Sequence, residues 1–358
     1  MWPDRRLLDL FGIEQPIILA PMAGAMDSDL AIAVAKGGGL GSLPAALLDA
    51  ERLRGEVAKY RAAIDAPLNL NFFAHKSPAL NNAREHAWRE ALKRYYVELG
   101  IDPNAPIPAS NRAPFDDAFC AVVEEVKPTV VSFHFGLPEA ALLNRVKAAG
   151  CKVMGSATTV AEARWLAERG CDAVIAQGSE AGGHRGMFLS DDLAAQVGTF
   201  SLVPQVADAV QIPVIAAGGI ADARGIVAAL ALGASGVQIG TAFLASPESK
   251  IRPAHRAALK TARDDGTVVT NVMTGRPARG LVNRLMRDLG PVSALAPEFP
   301  LAGGAIAPLQ AKAQAQGSGE FSSMWAGQSA GLSREMPAEE LTRKLAEDAQ
   351  ALVRRLVG

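Results

Sequence analysis

The chain has 358 residues, 49% of them apolar and 20% charged, with a formal net charge of −1. That balance suits a globular enzyme with a large core, and it excludes a basic face for nucleic acid or a long acidic tail. No apolar run approaches the ~18 residues of a membrane span, and the dispersed Cys120, Cys151 and Cys171, without CxxC spacing, suit reduced thiols in a cytoplasmic protein.

The N-terminal stretch Met1 to Ile13 lacks an uninterrupted signal-peptide core, because Asp9 breaks it. Beyond it, short β-branched or apolar runs alternate with helical patterns. Strands are expected at Pro16–Ala20, Gly39–Leu43, Leu68–Phe73 and Val130–His134, then at Lys152–Gly155, Ala173–Gln177, Val214–Ala217 and Val237–Ile239. Helices between them include Asp29–Ala35, Ala50–Ile64, Phe115–Val126, Pro138–Ala149, Val160–Arg169 and a stretch over 221–232. Eight strands in this rhythm indicate the α/β class and a (β/α)8 TIM barrel. A doubly wound sheet is the alternative, but a Rossmann unit carries its glycine fingerprint after the first strand, where this chain has APMAGAM.

Two stretches leave the rhythm. Residues 75–112 carry a helical segment (Asn81–Leu99) and a loop with Pro103, Pro106 and Pro108; residues 245–319 mix helical pieces with glycine and proline loops. Both emerge from C-terminal strand ends, the face where barrel active sites lie. They are expected to pack together as a smaller, mainly helical cap or substrate domain over a barrel built from 1–74, 113–244 and 320–358, with Pro337–Val357 closing the wall.

The residues at those strand ends form one set. Strand one ends in Ala20-Pro21-Met22, strand three carries Asn69 and Asn71, strand four ends at His134 and strand six at Gln177. Strands seven and eight end in the glycine turns Gly218-Gly219 and Gly240-Thr241. Such turns let backbone N–H groups approach an anion beside a helix N-terminus, and barrels commonly build a phosphate site there. Amide side chains at the mouth suit a ring bearing carbonyl and N–H groups. A phosphorylated heterocycle is expected, with flavin mononucleotide (FMN) the natural candidate.

The loop after strand six reads AQGSEAGGHRG. Gly182 and Gly183 allow close backbone approach to a planar ligand, and His184 beyond them suits proton transfer near neutral pH. His134 is expected to be structural or to touch ligand. His75, His86 and His255 read as surface residues, and Glu180 as solvated. HExxH zinc spacing and a Walker lysine do not occur. Cys151 and Cys171 precede their strands, which disfavours a cysteine intermediate.

These pieces resemble the nitronate monooxygenase family, formerly called 2-nitropropane dioxygenases. The matching segments are PIILAPMAG (16–24), LNLNFF (68–73), SFHFGLP (132–138), AQGSEAGGHRG (176–186), PVIAAGGI (213–220) and QIGTAF (238–243). The resemblance implies a TIM barrel with non-covalent FMN beneath a substrate domain. Asn71, Gln177, Gly182, Gly219, Gln238, Ile239, Gly240 and Thr241 would contact FMN, with Ala20 to Met22 along its ring. His184 matches the histidine assigned as catalytic base, while Ser132, Lys312 and Gln328 are weaker pocket candidates. The implied reaction oxidises an alkyl nitronate, such as propionate 3-nitronate, with dioxygen to a carbonyl compound and nitrite, without reduced nicotinamide. An NAD(P)H-dependent FMN reductase of quinones or enoyl thioesters is the alternative, and a non-redox phosphate binder a third. Small molecules would be the partners of a cytoplasmic monomer or homodimer, with no nucleic acid, membrane or metal.

Overall fold

In chain order the strands are β1 (Ile17–Leu19), β2 (Gly41–Pro44), β3 (Leu68–Phe73), β4 (Val130–His134), β5 (Lys152–Ala157), β6 (Ala173–Gln177), β7 (Gly183–His184), β8 (Val214–Ala217), β9 (Gly236–Ile239), β10 (Thr267–Thr270) and β11 (Ala278–Leu281). The structure, a computed structural model, describes residues 2–108 and 112–357. Met1, residues 109–111 and Gly358, which the expected domain boundaries include, lie outside the described residues.

Eight of these strands pair in parallel in the order β1-β9-β8-β6-β5-β4-β3-β2. A bridge between Ile18 and Leu40 joins the two ends, so the sheet closes into a (β/α)8 TIM barrel. Strand interiors are buried almost throughout, as parallel strands covered by helices require. The helices start where the sequence supplies an acceptor. Asp27, Asp49, Asp116, Thr159 and Asp222 each take a backbone N–H of the first turn of the helix that follows. The final helix, Ala338–Val357, packs on the helices Ser28–Lys36 and Ala223–Ala231 and fills the helical wall between them.

Residues of both insertions share a second core. Trp88, Leu92, Tyr95 and Tyr96 of the helix Asn82–Glu98 pack with Val272, Leu285, Ile306, Leu309 and Phe321. Trp88 Nε1 donates to the carbonyl of Ala302 at 3.1 Å, which satisfies the only polar atom of a side chain with no exposed surface.

Several features depart from the sequence reading. β10, β11 and β7 form a three-stranded antiparallel sheet, with His184 opposite Ala278 and Gly183 opposite Arg279. Strands of two and four residues are too short to show alternation, so this sheet left no periodic signal. The helix Thr199–Ala209 also went unread, since Pro204 interrupts its pattern. His75 and His255 are not surface residues: only 6% and 9% of their surfaces are exposed. Glu180 is not simply solvated either. Its carboxylate accepts from the N–H and hydroxyl of Thr199 and holds the start of the helix Thr199–Ala209. Among the described residues, no helix is long and apolar enough to cross a membrane.

Candidate active site

A cavity of about 560 Å³ opens at the C-terminal ends of the barrel strands. Its floor carries the turn after β8. Gly218 and Gly219 hold φ of +111° and +72°, values that L side chains rarely adopt. A Cβ on Gly218 would stand 2.9 Å from the backbone nitrogen of Ala181, so the turn has no room for a side chain. Gly240 and Thr241 follow at the end of β9 and open the short helix Thr241–Leu244. The segment returning from the cap fastens this cradle: Gly327 N–H donates to Thr241 Oγ1 at 2.9 Å, and Ser329 Oγ to the Gly219 carbonyl at 2.8 Å. Nearby, Gln238 Oε1 is a buried acceptor with no partner among the described residues.

His184 faces the cavity from β7. Its ring lies 5.2 Å from Phe299, 5.5 Å from Trp325, 5.8 Å from Phe135 and 6.0 Å from Phe73, between centroids. Burial among these rings pushes its pKa well below the ordinary histidine value, and Arg112, His134 and Arg276 add to the effect. The imidazole is therefore neutral near pH 7, the form that accepts a proton. Its Nε2 is 2.9 Å from Thr274 Oγ1.

The loop carrying His184 is braced from below. Gln177 donates through Nε2 to the His184 carbonyl at 3.0 Å and accepts through Oε1 from Gly186 N–H at 2.7 Å. The guanidinium of Arg185, fully buried, reaches Gln196 Oε1 through Nε and the Gln177 carbonyl through Nη2. Glu162, 1% exposed, accepts from Phe188 and Leu189 N–H through one oxygen and from Thr158 through the other. Arg276 lies over the Phe135 ring at 4.1 Å and donates to the Met187 carbonyl.

Of the residues singled out from the sequence, the cavity wall brings together Ala20, Pro21, Met22, Asn71, His134, Gln177, Gly182, Gly183, His184, Gly218, Gly219, Gln238, Gly240 and Thr241. It does not include Ser132, Ile239, Lys312 or Gln328. Ser132 sits one layer deeper in the barrel, where its hydroxyl takes the Asn71 amide at 3.0 Å. Ile239 points away from Gln238 because strand side chains alternate, and it is buried in the wall. Lys312 is exposed on the helix Ala302–Ala315, whose Gln310 and Gln314 line the cavity instead. A helix turns about 100° per residue, so position 312 faces away from both. Gln328 is exposed. Gly182 also has a packing reason: a Cβ there would lie 2.6 Å from backbone atoms of Ala326 and Gly327.

Sequence reasoning missed Phe73, Arg112, Ser156, Trp325, Gly327 and Ser329 as cavity residues. Phe73 was legible as the last residue of β3. Ser156 lies in β5, one residue past the expected strand end at Gly155; the others come from loops or the cap return, where no period marks a facing. The cavity wall holds Arg112 and Arg252 and no carboxylate, which favours an anionic occupant. Among the described residues no cluster of three or more His, Cys, Asp or Glu could hold a metal.

The family model described as nitronate monooxygenase matches residues 4–348. A nitronate monooxygenase of Pseudomonas aeruginosa is 44% identical over 345 residues, covering 96% of this chain and 98% of the relative. One from Paraburkholderia phytofirmans is 41% identical over 354 residues, covering 98% and 97%. Among solved structures, the nitroalkane oxidase of Streptomyces ansochromogenes superposes with a TM-score of 0.90 at 38% identity, covering 99% of this chain and all of that one. FabK from Thermotoga maritima follows with a TM-score of 0.77 at 32% identity, covering 100% and 99%.

Proposed function

The chain belongs to the nitronate monooxygenase family, and on that premise we propose that it is an FMN-dependent nitronate monooxygenase. It would oxidise small alkyl nitronates with dioxygen to a carbonyl compound and nitrite. The observation that carries this reading is the position of His184: a neutral imidazole in an aromatic box, on the wall of the cavity whose floor is the Gly218-Gly219 and Gly240-Thr241 cradle.

The residues fit FMN. The two glycine turns offer backbone N–H groups to a phosphate, and the first is shaped by the positive φ of Gly218 and Gly219. Gln238 Oε1, buried without a partner among the described residues, suits a hydroxyl or ring N–H of the cofactor. Ala20, Pro21 and Met22 lie along the wall beside Gly240, within reach of a ring system. Bound there, FMN would supply the electron-accepting chemistry and the reaction with dioxygen.

The chain's own residues prepare the substrate. For a neutral nitroalkane, the α C–H bond breaks, its proton passes to the imidazole of His184, and the electron pair moves into the C=N bond as charge reaches the nitro oxygens. Arg112 and Arg276, close enough to depress the His184 pKa, place positive potential where that charge develops. Phe73, Phe135, Phe299 and Trp325 keep water from the imidazole. A preformed nitronate needs no deprotonation, and the cationic wall favours small anions such as propionate 3-nitronate.

Purified protein with a flavin spectrum that takes up oxygen and releases nitrite on adding a nitronate would bear this out; absence of nitrite from a flavin-loaded sample would overturn it. Anaerobic mixing with NADH separates the reductase alternative, which requires rapid bleaching of the flavin.

A further inference from the structure

We infer that Thr274 is a positioning residue that sets the tautomer of His184, so that Nδ1 is the nitrogen that accepts the substrate proton. The inference rests on the reading of His184 as the base and adds which nitrogen acts and what selects it.

Thr274 lies in the turn between β10 and β11, on the cap side, and is 2% exposed. Its hydroxyl oxygen is 2.9 Å from His184 Nε2 and 3.4 Å from the Arg276 carbonyl oxygen, an acceptor within reach of the hydroxyl. A hydroxyl has one proton to give. If it points at the Arg276 carbonyl, Oγ1 accepts from Nε2–H, and both donors of the chain Nε2–H···Oγ1–H···O=C are satisfied. In the other tautomer the hydroxyl turns to Nε2, the weak bond to Arg276 is lost, and Nδ1–H finds no acceptor among the described residues. A neutral imidazole has one N–H and one lone pair, and the hydrogen bond at one nitrogen decides which nitrogen keeps the lone pair. The first arrangement leaves that lone pair on Nδ1.

The turn is held firmly enough to impose this choice. Gly275 N–H donates to the Asn271 carbonyl at 2.7 Å, and the Asn271 side chain exchanges two bonds of 2.9 Å with the backbone of Ser293. Across the ring, β7 pairs with β11 through His184 and Ala278, so the base sits on a strand beside the one into which the selector's turn leads. During proton transfer Nδ1 gains the proton while Nε2–H remains on Thr274, so no second proton needs to move.

Nitrogen-15 spectra of histidine-labelled, flavin-loaded protein near pH 7 read the tautomer directly, independent of turnover. The expected result is an unprotonated Nδ1 and a protonated Nε2 for His184, assigned by its loss in His184→Asn. A protonated Nδ1 would overturn the inference, whatever the enzyme oxidises. Thr274→Val removes the acceptor at nearly constant volume, and Thr274→Ser restores it. The ratio of kcat/KM for neutral nitroethane to that for its preformed nitronate should fall about tenfold or more in the valine variant, given what a positioned base contributes. It should return to within about threefold of the parent in the serine variant. Equal losses on both substrates, without rescue by serine, would count against Thr274 as selector. Failure of the broader functional reading shows itself differently, as no nitrite from any nitronate in the parent enzyme, and leaves the spectrum unaffected.

Discussion

His134 Nε2 lies 3.1 Å from the main-chain carbonyl oxygen of His184. Because that atom accepts, Nε2 carries the proton, and His134 Nδ1 is left to take the Ser156 hydroxyl at 3.1 Å. Gln177 donates to the same carbonyl. One histidine of the barrel thus holds the backbone of the other from strand β4, while the ring above stays free to meet a ligand. The two have separate tasks: His134 is occupied at both nitrogens, and only His184 has a nitrogen left for chemistry.

His184→Asn should therefore lose turnover of neutral nitroalkanes by about 10²-fold or more, the usual contribution of a positioned base. The carbonyl at 184 remains for His134 and Gln177 to hold, so the loop and flavin binding persist. Steady-state rates beside the flavin-to-protein absorbance ratio check both halves. Unchanged nitroalkane turnover would remove His184 from the mechanism.

Gly219→Asp should release the cofactor. The residue sits at φ +72°, where an L side chain costs about 1–2 kcal/mol, and the added carboxylate, its Cβ 3.4 Å from Glu180 Cβ, would bring further negative charge to the turn proposed to hold the phosphate. Colourless protein after purification, with flavin affinity reduced at least about tenfold on titration, is the expected outcome, the repulsion exceeding about 1.4 kcal/mol. Ordinary affinity would mean that the phosphate is held elsewhere.

Glu162→Gln should destabilise the fold through the loop that carries His184. Both carboxylate oxygens accept, from N–H groups of Phe188 and Leu189 on one side and from Thr158 on the other. An amide can accept on only one side, so an NH2 group would confront buried donors at a cost of about 1–3 kcal/mol. Denaturant melts measure this loss, and hydrogen exchange should place it in residues 185–189. A variant as stable as the parent would show that the loop finds other acceptors.

Stability should fall as the solution is acidified from pH 6.5 to 4. Burial lowers the imidazoles of His75, His134 and His255 to about 4, from 6.5. In that window the unfolded chain binds protons that the folded chain refuses. Each of the three costs up to about 1.4 kcal/mol of stability per pH unit, until the folded state also protonates near 4. Urea midpoints at pH 7.5, 6 and 5 test the slope. A flat profile would require these imidazoles to be charged in the folded state.

The sequence alone determined the barrel. Its eight strands are runs of three to six mainly apolar residues bounded by glycine or polar turns, and β3, β4, β6 and β8 begin and end where that pattern changes. The turn after β8 was legible for a related reason: Gly218 and Gly219 hold positive φ, a local backbone requirement that a short segment encodes by itself. Tertiary structure alone decided what surrounds His184. Thr274, Phe299 and Trp325 lie 90, 115 and 141 positions further along the chain. They meet the imidazole only because two insertions fold back over the barrel mouth and β11 pairs with a strand of two residues. No periodicity marks such contacts, since what brings them together is the burial of a second core far from the residues that meet.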